Sequence, residues 1–222
     1  MRLLPIPIMH ESRAGVPAVN APVQYGILPF YEAFYIDSMF LNTQSAVVSW
    51  ERVSECLRII DGEVTEHTQF DCATDEILDS LQNLIARAAA LSRYFWPARD
   101  GKNREHKRRA DQLRLAFAVT DESPLKDREL RNCMEHFDER LDHYLSKLII
   151  GHIIPSYVGP APGQTEVPQH VFRAYFVDVG TFAILGTHYQ IQPIVDEISR
   201  LHSILLQCNT EGFRLPRGST HA

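Results

Sequence analysis

The residues best suited to chemistry are an arginine, an asparagine and a histidine close together near the middle of the chain. Arg131 and Asn132 are adjacent, and His136 follows Arg131 after four intervening residues. A guanidinium group neutralises phosphate charge through forked hydrogen bonds, and an imidazole moves protons near neutral pH. These side-chain types are therefore suited to acting on a phosphodiester.

The three residues lie in a stretch, 123–148, that predicts one amphipathic helix. Ser123 is a candidate N-cap, and Pro124 fits the first helical position. Apolar residues then recur at steps of three and four, which is typical of a helix with one face against a core. The apolar positions are Leu130, Cys133, Met134, Phe137, Leu141, Tyr144, Leu145 and Leu148.

An ideal straight helix does not focus the candidate residues on one point. Arg131 would point roughly 140 degrees away from His136, whereas Asn132 would share a side with His136. Arg131 is also spaced for a surface ion pair with Glu135, one turn further along. Bringing Arg131 and His136 together therefore requires a bend, the long reach of arginine, or a second subunit.

A metal site is the other interpretation of this helix. His136, Glu139 and His143 lie on one helical side, a spacing compatible with metal ligands. However, no Glu-x-x-His pair occurs anywhere in the sequence, so the ligand pattern of a di-iron bundle is missing. We therefore predict no metal and no cofactor.

The elements around this helix predict a mainly α fold. Further helices are expected over about 29–60, either continuous or broken near Asn42, and over 74–96, 99–119 and 192–206. Short breaks between the first four helices favour an up-and-down helical bundle. β-branched and aromatic runs at 171–177 and 182–185 predict a C-terminal β-hairpin followed by the last helix.

Composition divides the chain into three parts. Residues 1–27 are rich in proline and predict an N-terminal arm, residues 28–148 form the bundle, and residues 149–222 supply a loop, the hairpin and the final helix packed on the bundle. The first nine residues are apolar but too short to span a membrane, and no secretory cleavage pattern follows them. The four cysteines form no CxxC pair. These features predict a cytoplasmic protein with reduced thiols and no membrane contact.

Charge distribution adds one candidate binding surface. The net charge of −6 argues against a protein that coats nucleic acid or an anionic membrane through its overall field. Residues 99–114 nevertheless contain seven basic and three acidic side chains. They form either a solvated helix face or a phosphate-binding surface, in which Arg104, Lys107 and Arg108 are the candidate RNA-binding residues.

The stretch LRNCMEHFDERLD resembles the Arg-x(4 to 6)-His signature of the HEPN superfamily. The spacing here is Arg-x4-His, and Asn132 matches the polar residue that often follows the arginine. The order of predicted elements is also similar to that of bacterial HEPN-like proteins related to abortive-infection proteins. The resemblance implies a helical domain that forms a homodimer, in which the motif helices of two subunits meet at one site.

The resemblance also implies a function. Arg131, Asn132 and His136 would be the catalytic residues of a metal-independent endoribonuclease, in a toxin or phage-defence component with an antitoxin protein as partner. His136 would move protons during attack of the RNA 2′-hydroxyl, Arg131 would stabilise the phosphoryl charge, and Asn132 would orient the phosphate. The alternative is a non-catalytic HEPN-like module that binds RNA, a nucleotide or a protein partner.

Overall fold

The computed structural model describes residues 26–60, 70–97, 104–147, 149–163 and 166–217. The described chain is mainly α, with six α-helices and a small four-stranded sheet. The helices are α1 (Glu32–Ile60), α2 (Phe70–Phe95), α3 (Arg104–Ala116), α4 (Glu129–Glu135), α5 (Phe137–Leu145) and α6 (Gln192–Thr210). The strands are β1 (His152–Gly159), β2 (Gln169–Phe176), β3 (Thr181–Ile184) and β4 (Thr187–Gln190). None of the described helices is long and apolar enough to cross a membrane.

Helices α1 and α2 form an antiparallel pair with the most extensive contact in the molecule. Near one end, the hydroxyls of Ser38 and Tyr94 share a hydrogen bond. Further along α1, Ser49 accepts a hydrogen bond of 2.7 Å from Asn83. Advancing along α1 therefore means moving backwards along α2. α1 continues unbroken through Asn42, which selects the continuous alternative for this helix.

Helix α6 packs on another face of α1, also antiparallel to it. His202 Nδ1 lies 3.1 Å from the hydroxyl of Thr43, and Glu32 accepts a 3.1 Å hydrogen bond from the backbone N–H of Leu215. The main core therefore joins two helices from the start of the chain to one from its end. Its largest fully buried side chains include Ile36, Met39, Ile77, Leu81, Leu84, Leu91, Phe95, Leu113 and Phe117.

The predicted single helix over 123–148 is wrong. Pro124–Lys126 forms a separate 3₁₀ turn, and two short helices follow, α4 and α5, which meet at His136. Ser123 does not cap a helix, because its hydroxyl donates instead to Glu197 on α6 at 3.1 Å. The carboxylate of Asp127 accepts the N–H of Glu129 at 2.8 Å, which favours a new helix start there. Leu148 lies outside the described residues.

The helix changes direction at His136, and side chains before and after this residue have partly different neighbours. On α4, Leu130 and Cys133 are buried in the main core. On α5, the Phe137 ring lies 5.2 Å beneath the Arg173 guanidinium of β2, and the ring of Tyr144 contacts other β2 side chains. The backbone of His136, with φ −115° and ψ 36°, makes the change of direction.

The sheet is larger than the predicted hairpin. Its strand order is β1-β2-β3-β4, with β1 parallel to β2 and the other two pairs antiparallel. The two predicted strands correspond to β2 and β3 and pair with each other, so that Phe176 lies opposite Thr181. β1 and β4 extend this pair on either side. Of the predicted N-terminal arm, residues 1–25 lie outside the described residues.

The half-buried histidine between α1 and α6 predicts that stability is sensitive to acid. The ring of His202 stacks on Phe40 with centroids 5.2 Å apart, and burial lowers its pKa below the ordinary value of 6.5. The unfolded chain therefore binds a proton at higher pH than the folded chain. We expect the free energy of unfolding to fall as pH decreases from 6.5 towards the lower folded-state pKa.

Urea titrations between pH 7.5 and 5 measure this effect. The pH dependence should be weaker in His202→Gln than in the wild type. It should be unchanged in His143→Gln, since His143 is exposed on α5. An identical dependence in the wild type and His202→Gln would contradict the prediction.

Candidate functional site

His136 occupies an accessible position at the connection between α4 and α5. Its side chain is 59% exposed, and its Nδ1 atom lies 3.8 Å from a carboxylate oxygen of Glu139. This distance is too long for a hydrogen bond but short enough for an ion pair when the ring is protonated. The imidazole is therefore open to a substrate from solution.

Asn132 lies one turn before His136 and is half-buried on α4. Its backbone carbonyl accepts a 3.1 Å hydrogen bond from the backbone N–H of His136, which fixes the end of α4. Arg131 belongs to the same short helix, but its side chain lies outside the described part of the structure. The motif therefore spans α4 and the first residue beyond it. The angle of about 140 degrees expected between Arg131 and His136 is that of a regular helix, and helical hydrogen bonding continues as far as His136, where the direction changes.

Glu135 lies beside the end of α2. An oxygen of its carboxylate lies 3.5 Å from Nη2 of Arg93, in the last turn of α2. Both side chains are about half exposed, so the pair contributes little to stability. It does show that α4 borders the end of α2. Among the described residues, no group of three or more His, Cys, Asp or Glu side chains is arranged to hold a metal ion.

The predicted RNA-binding residues lie on α3. Lys107 is exposed and pairs with Asp111 at 3.3 Å, and Arg108 is also exposed. Arg104 begins the helix, and its side chain is among those not described. The structure therefore places Lys107 and Arg108 on the protein surface, away from the core.

The chain before α1 holds α3 in place. The backbone N–H of Ile27 donates to the side chain of Gln112 at 2.7 Å, and Ile27 itself is buried. Gly26 passes so close to α3 that a Cβ atom there would clash with the backbone of Arg108 and Arg109. Glycine is needed at this approach because only a residue without a Cβ fits.

A cleft of about 560 Å³ lies where α1, α2 and α3 meet. We call it the α2–α3 cleft. Its lining includes the side chains Asn42, Arg93, Tyr94, Pro97, His106 and Arg109. In the sequence, only the basic character of residues 99–114 indicated a binding site in the region of this cleft. Arg93 and Tyr94 gave no signal, because their meeting with α3 depends on tertiary packing.

Arg109 is held firmly at the edge of this cleft. Its Nη2 atom donates to the backbone carbonyl of Arg93 at 3.0 Å, and its guanidinium lies 5.9 Å from the centre of the Tyr94 ring. The buried Nε atom of Arg109 has no hydrogen-bond acceptor among the described residues. A buried donor without an acceptor is costly.

Comparisons with known proteins add no assignment. No protein-family model matches the chain, and no significant match is found among curated proteins or solved structures.

Proposed function

We propose that the protein is a metal-independent endoribonuclease that acts through Arg131, Asn132 and His136. The observation that supports this proposal is the exposed imidazole of His136 at the break between α4 and α5. An acid–base group must reach the proton that it transfers, and an accessible side chain at a helix end meets that requirement.

The proposed reaction is an internal transesterification of RNA. His136 takes the proton from a ribose 2′-hydroxyl, and the oxygen attacks the adjacent phosphorus. Arg131 stabilises the negative charge that builds up on the phosphoryl oxygens, and Asn132 orients the phosphate. The 5′-oxygen of the next nucleotide leaves with a proton, which gives a 2′,3′-cyclic phosphate and a free 5′-hydroxyl. No metal or cofactor takes part.

In this proposal a homodimer forms through α4, so that the motifs of two subunits share one cleft. One His136 can then act as the base while the partner's His136 acts as the acid. The RNA backbone lies along α3, where Lys107, Arg108 and Arg104 contact phosphates. The surface pair between Lys107 and Asp111 costs little to break, because exposed ion pairs are weak. We place this activity in the cytoplasm, in a toxin or phage-defence component.

A second candidate is a non-catalytic HEPN-like module that binds RNA, a nucleotide or a protein such as an antitoxin. The exposed acidic side chains around His136 favour it, since they repel a polyanion. These side chains are Glu135, Asp138, Glu139 and Asp142.

Incubating the protein with mixed single-stranded RNA and a chelator distinguishes the two candidates. The ribonuclease should release fragments whose mass shows a cyclic phosphate, one water lighter than the linear phosphate. It should also sediment as a dimer at the concentration at which it cleaves. Intact RNA across varied sequences would favour the non-catalytic module, and cleavage by a strict monomer would contradict the shared site.

A further inference from the structure

We propose that the α2–α3 cleft binds a phosphorylated small molecule, for which a nucleoside monophosphate is the test case. This site is separate from His136 and does not depend on ribonuclease activity. The proposal rests on the charge of the cleft, on the fixed geometry of Arg109, and on the size and chemistry of the lining.

The cleft presents positive charge from two helices. Arg93 comes from the last turn of α2 and Arg109 from the middle of α3. None of the described residues that line the cleft carries a carboxylate. His106 lies three residues before Arg109 and adds an imidazole that can also contact an anion. Two guanidiniums at one cleft suit a phosphate, whose several oxygens can each accept charge-assisted hydrogen bonds.

Arg109 is organised before any ligand arrives. Its Nη2 atom is fixed on the Arg93 carbonyl, and its guanidinium is placed over Tyr94. The Tyr94 hydroxyl is held in turn by Ser38 on α1. Ordering a long side chain during binding costs free energy. Because Arg109 is already ordered in the folded protein, ligand binding does not carry that cost.

Arg93 can turn towards a ligand at little cost. Its contact with Glu135 is long, at 3.5 Å, and about half exposed on both sides. A phosphate dianion in the cleft would compete with this carboxylate and attract the guanidinium more strongly. Binding would then break the contact between Arg93 and Glu135.

The volume of the cleft indicates a ligand larger than phosphate alone. About 560 Å³ lies within the range of sites for small organic molecules. Ala90, Pro97 and part of Tyr94 provide apolar surface, and the Asn42 side chain adds a polar group to the lining. This mixture suits an organic body such as a nucleoside attached to the phosphate.

Calorimetric titration of the full-length protein with adenosine monophosphate, adenosine and inorganic phosphate tests the proposal. The monophosphate should bind about tenfold more tightly than either part, since each part loses interactions worth roughly 1.4 kcal/mol or more. Arg93→Gln and Arg109→Gln should each weaken monophosphate binding by about tenfold or more. Arg87→Gln is the matched control, because Arg87 is exposed on α2 and does not line the cleft. It should leave binding unchanged.

Circular dichroism verifies the fold of each variant. Arg109→Gln removes a contact to α2 and could unfold the protein. Arg93→Gln alters only a half-exposed side chain, so it still tests the proposal if Arg109→Gln unfolds. Absence of monophosphate binding, or binding unaffected by Arg93→Gln, would overturn the proposal. So would equal affinity for inorganic phosphate, or binding of an RNA oligonucleotide without binding of the monophosphate. Repeating the titration with His136→Ala separates this site from the ribonuclease: binding should persist there whether or not RNA is cleaved.

Discussion

Replacing His136 by alanine is expected to slow RNA cleavage by about 10²- to 10⁴-fold, the range that general acid–base groups contribute. The reason is that the proposed reaction needs one proton removed from the 2′-hydroxyl and one delivered to the leaving oxygen. Arg131→Ala should also reduce the rate, through loss of charge stabilisation on the phosphoryl oxygens. Initial rates on one labelled oligonucleotide, with chelator present, measure both effects.

His143→Ala provides the matched control for this experiment. His143 is an exposed histidine on the neighbouring helix α5, so its loss removes the same side-chain type from the same surface. We expect His143→Ala to cleave RNA at the wild-type rate. All three variants should keep their stability within about 0.5 kcal/mol if the replaced side chains are surface groups. Equal cleavage by the wild type and His136→Ala would remove His136 from the mechanism.

Replacing Phe95 by alanine is expected to destabilise the fold by about 3–5 kcal/mol, the usual cost of deleting a buried aromatic ring. Phe95 is 0% exposed at the end of α2. Its ring meets Phe117 edge to face with centroids 6.2 Å apart, and this contact ties α2 to the chain that follows α3. The truncation therefore leaves a cavity where two elements join.

Denaturant titrations analysed by linear extrapolation give the free energy of unfolding for this variant. Phe34→Ala is its control, since Phe34 is 71% exposed on α1 and loses the same atoms. Its effect should stay within about 0.5 kcal/mol. Similar losses from the two variants would show that the ring of Phe95 is not a core contact.

The long helices could be predicted because each buries one regular stripe along its whole length. α2 is an example, since Ile77, Leu81 and Leu84 all face the same core. The same rule failed after Ser123. Apolar spacing continues smoothly from Cys133 to Phe137, and both side chains pack against the same core, although the helix changes direction between them at His136. Periodicity reports that a face is buried but not whether the backbone stays straight.

The outer strands could not be predicted for a different reason. β4 has four residues, of which only Tyr189 is even half-buried, so no alternating pattern marks it. β1 is largely exposed except at Val158 and Gly159, and its parallel partner begins ten residues beyond it. The motif at residues 131–136 could be recognised in the sequence from the spacing between Arg131 and His136. The α2–α3 cleft was not, because its arginines belong to different helices and meet only in the folded chain.

The position of α6 near the end of the chain also affects folding during translation. The face of α1 that contains Phe40 and Thr43 packs on a helix that begins at Gln192. At translation rates of about 5–20 residues per second, the stretch between the end of α1 and the start of α6 takes about 7–26 seconds to synthesise. During that interval the nascent chain carries an uncovered apolar surface. Chaperone binding to the ribosome-bound chain would therefore protect α1. A polypeptide truncated before α6 would leave this surface uncovered and would be sensitive to proteolysis.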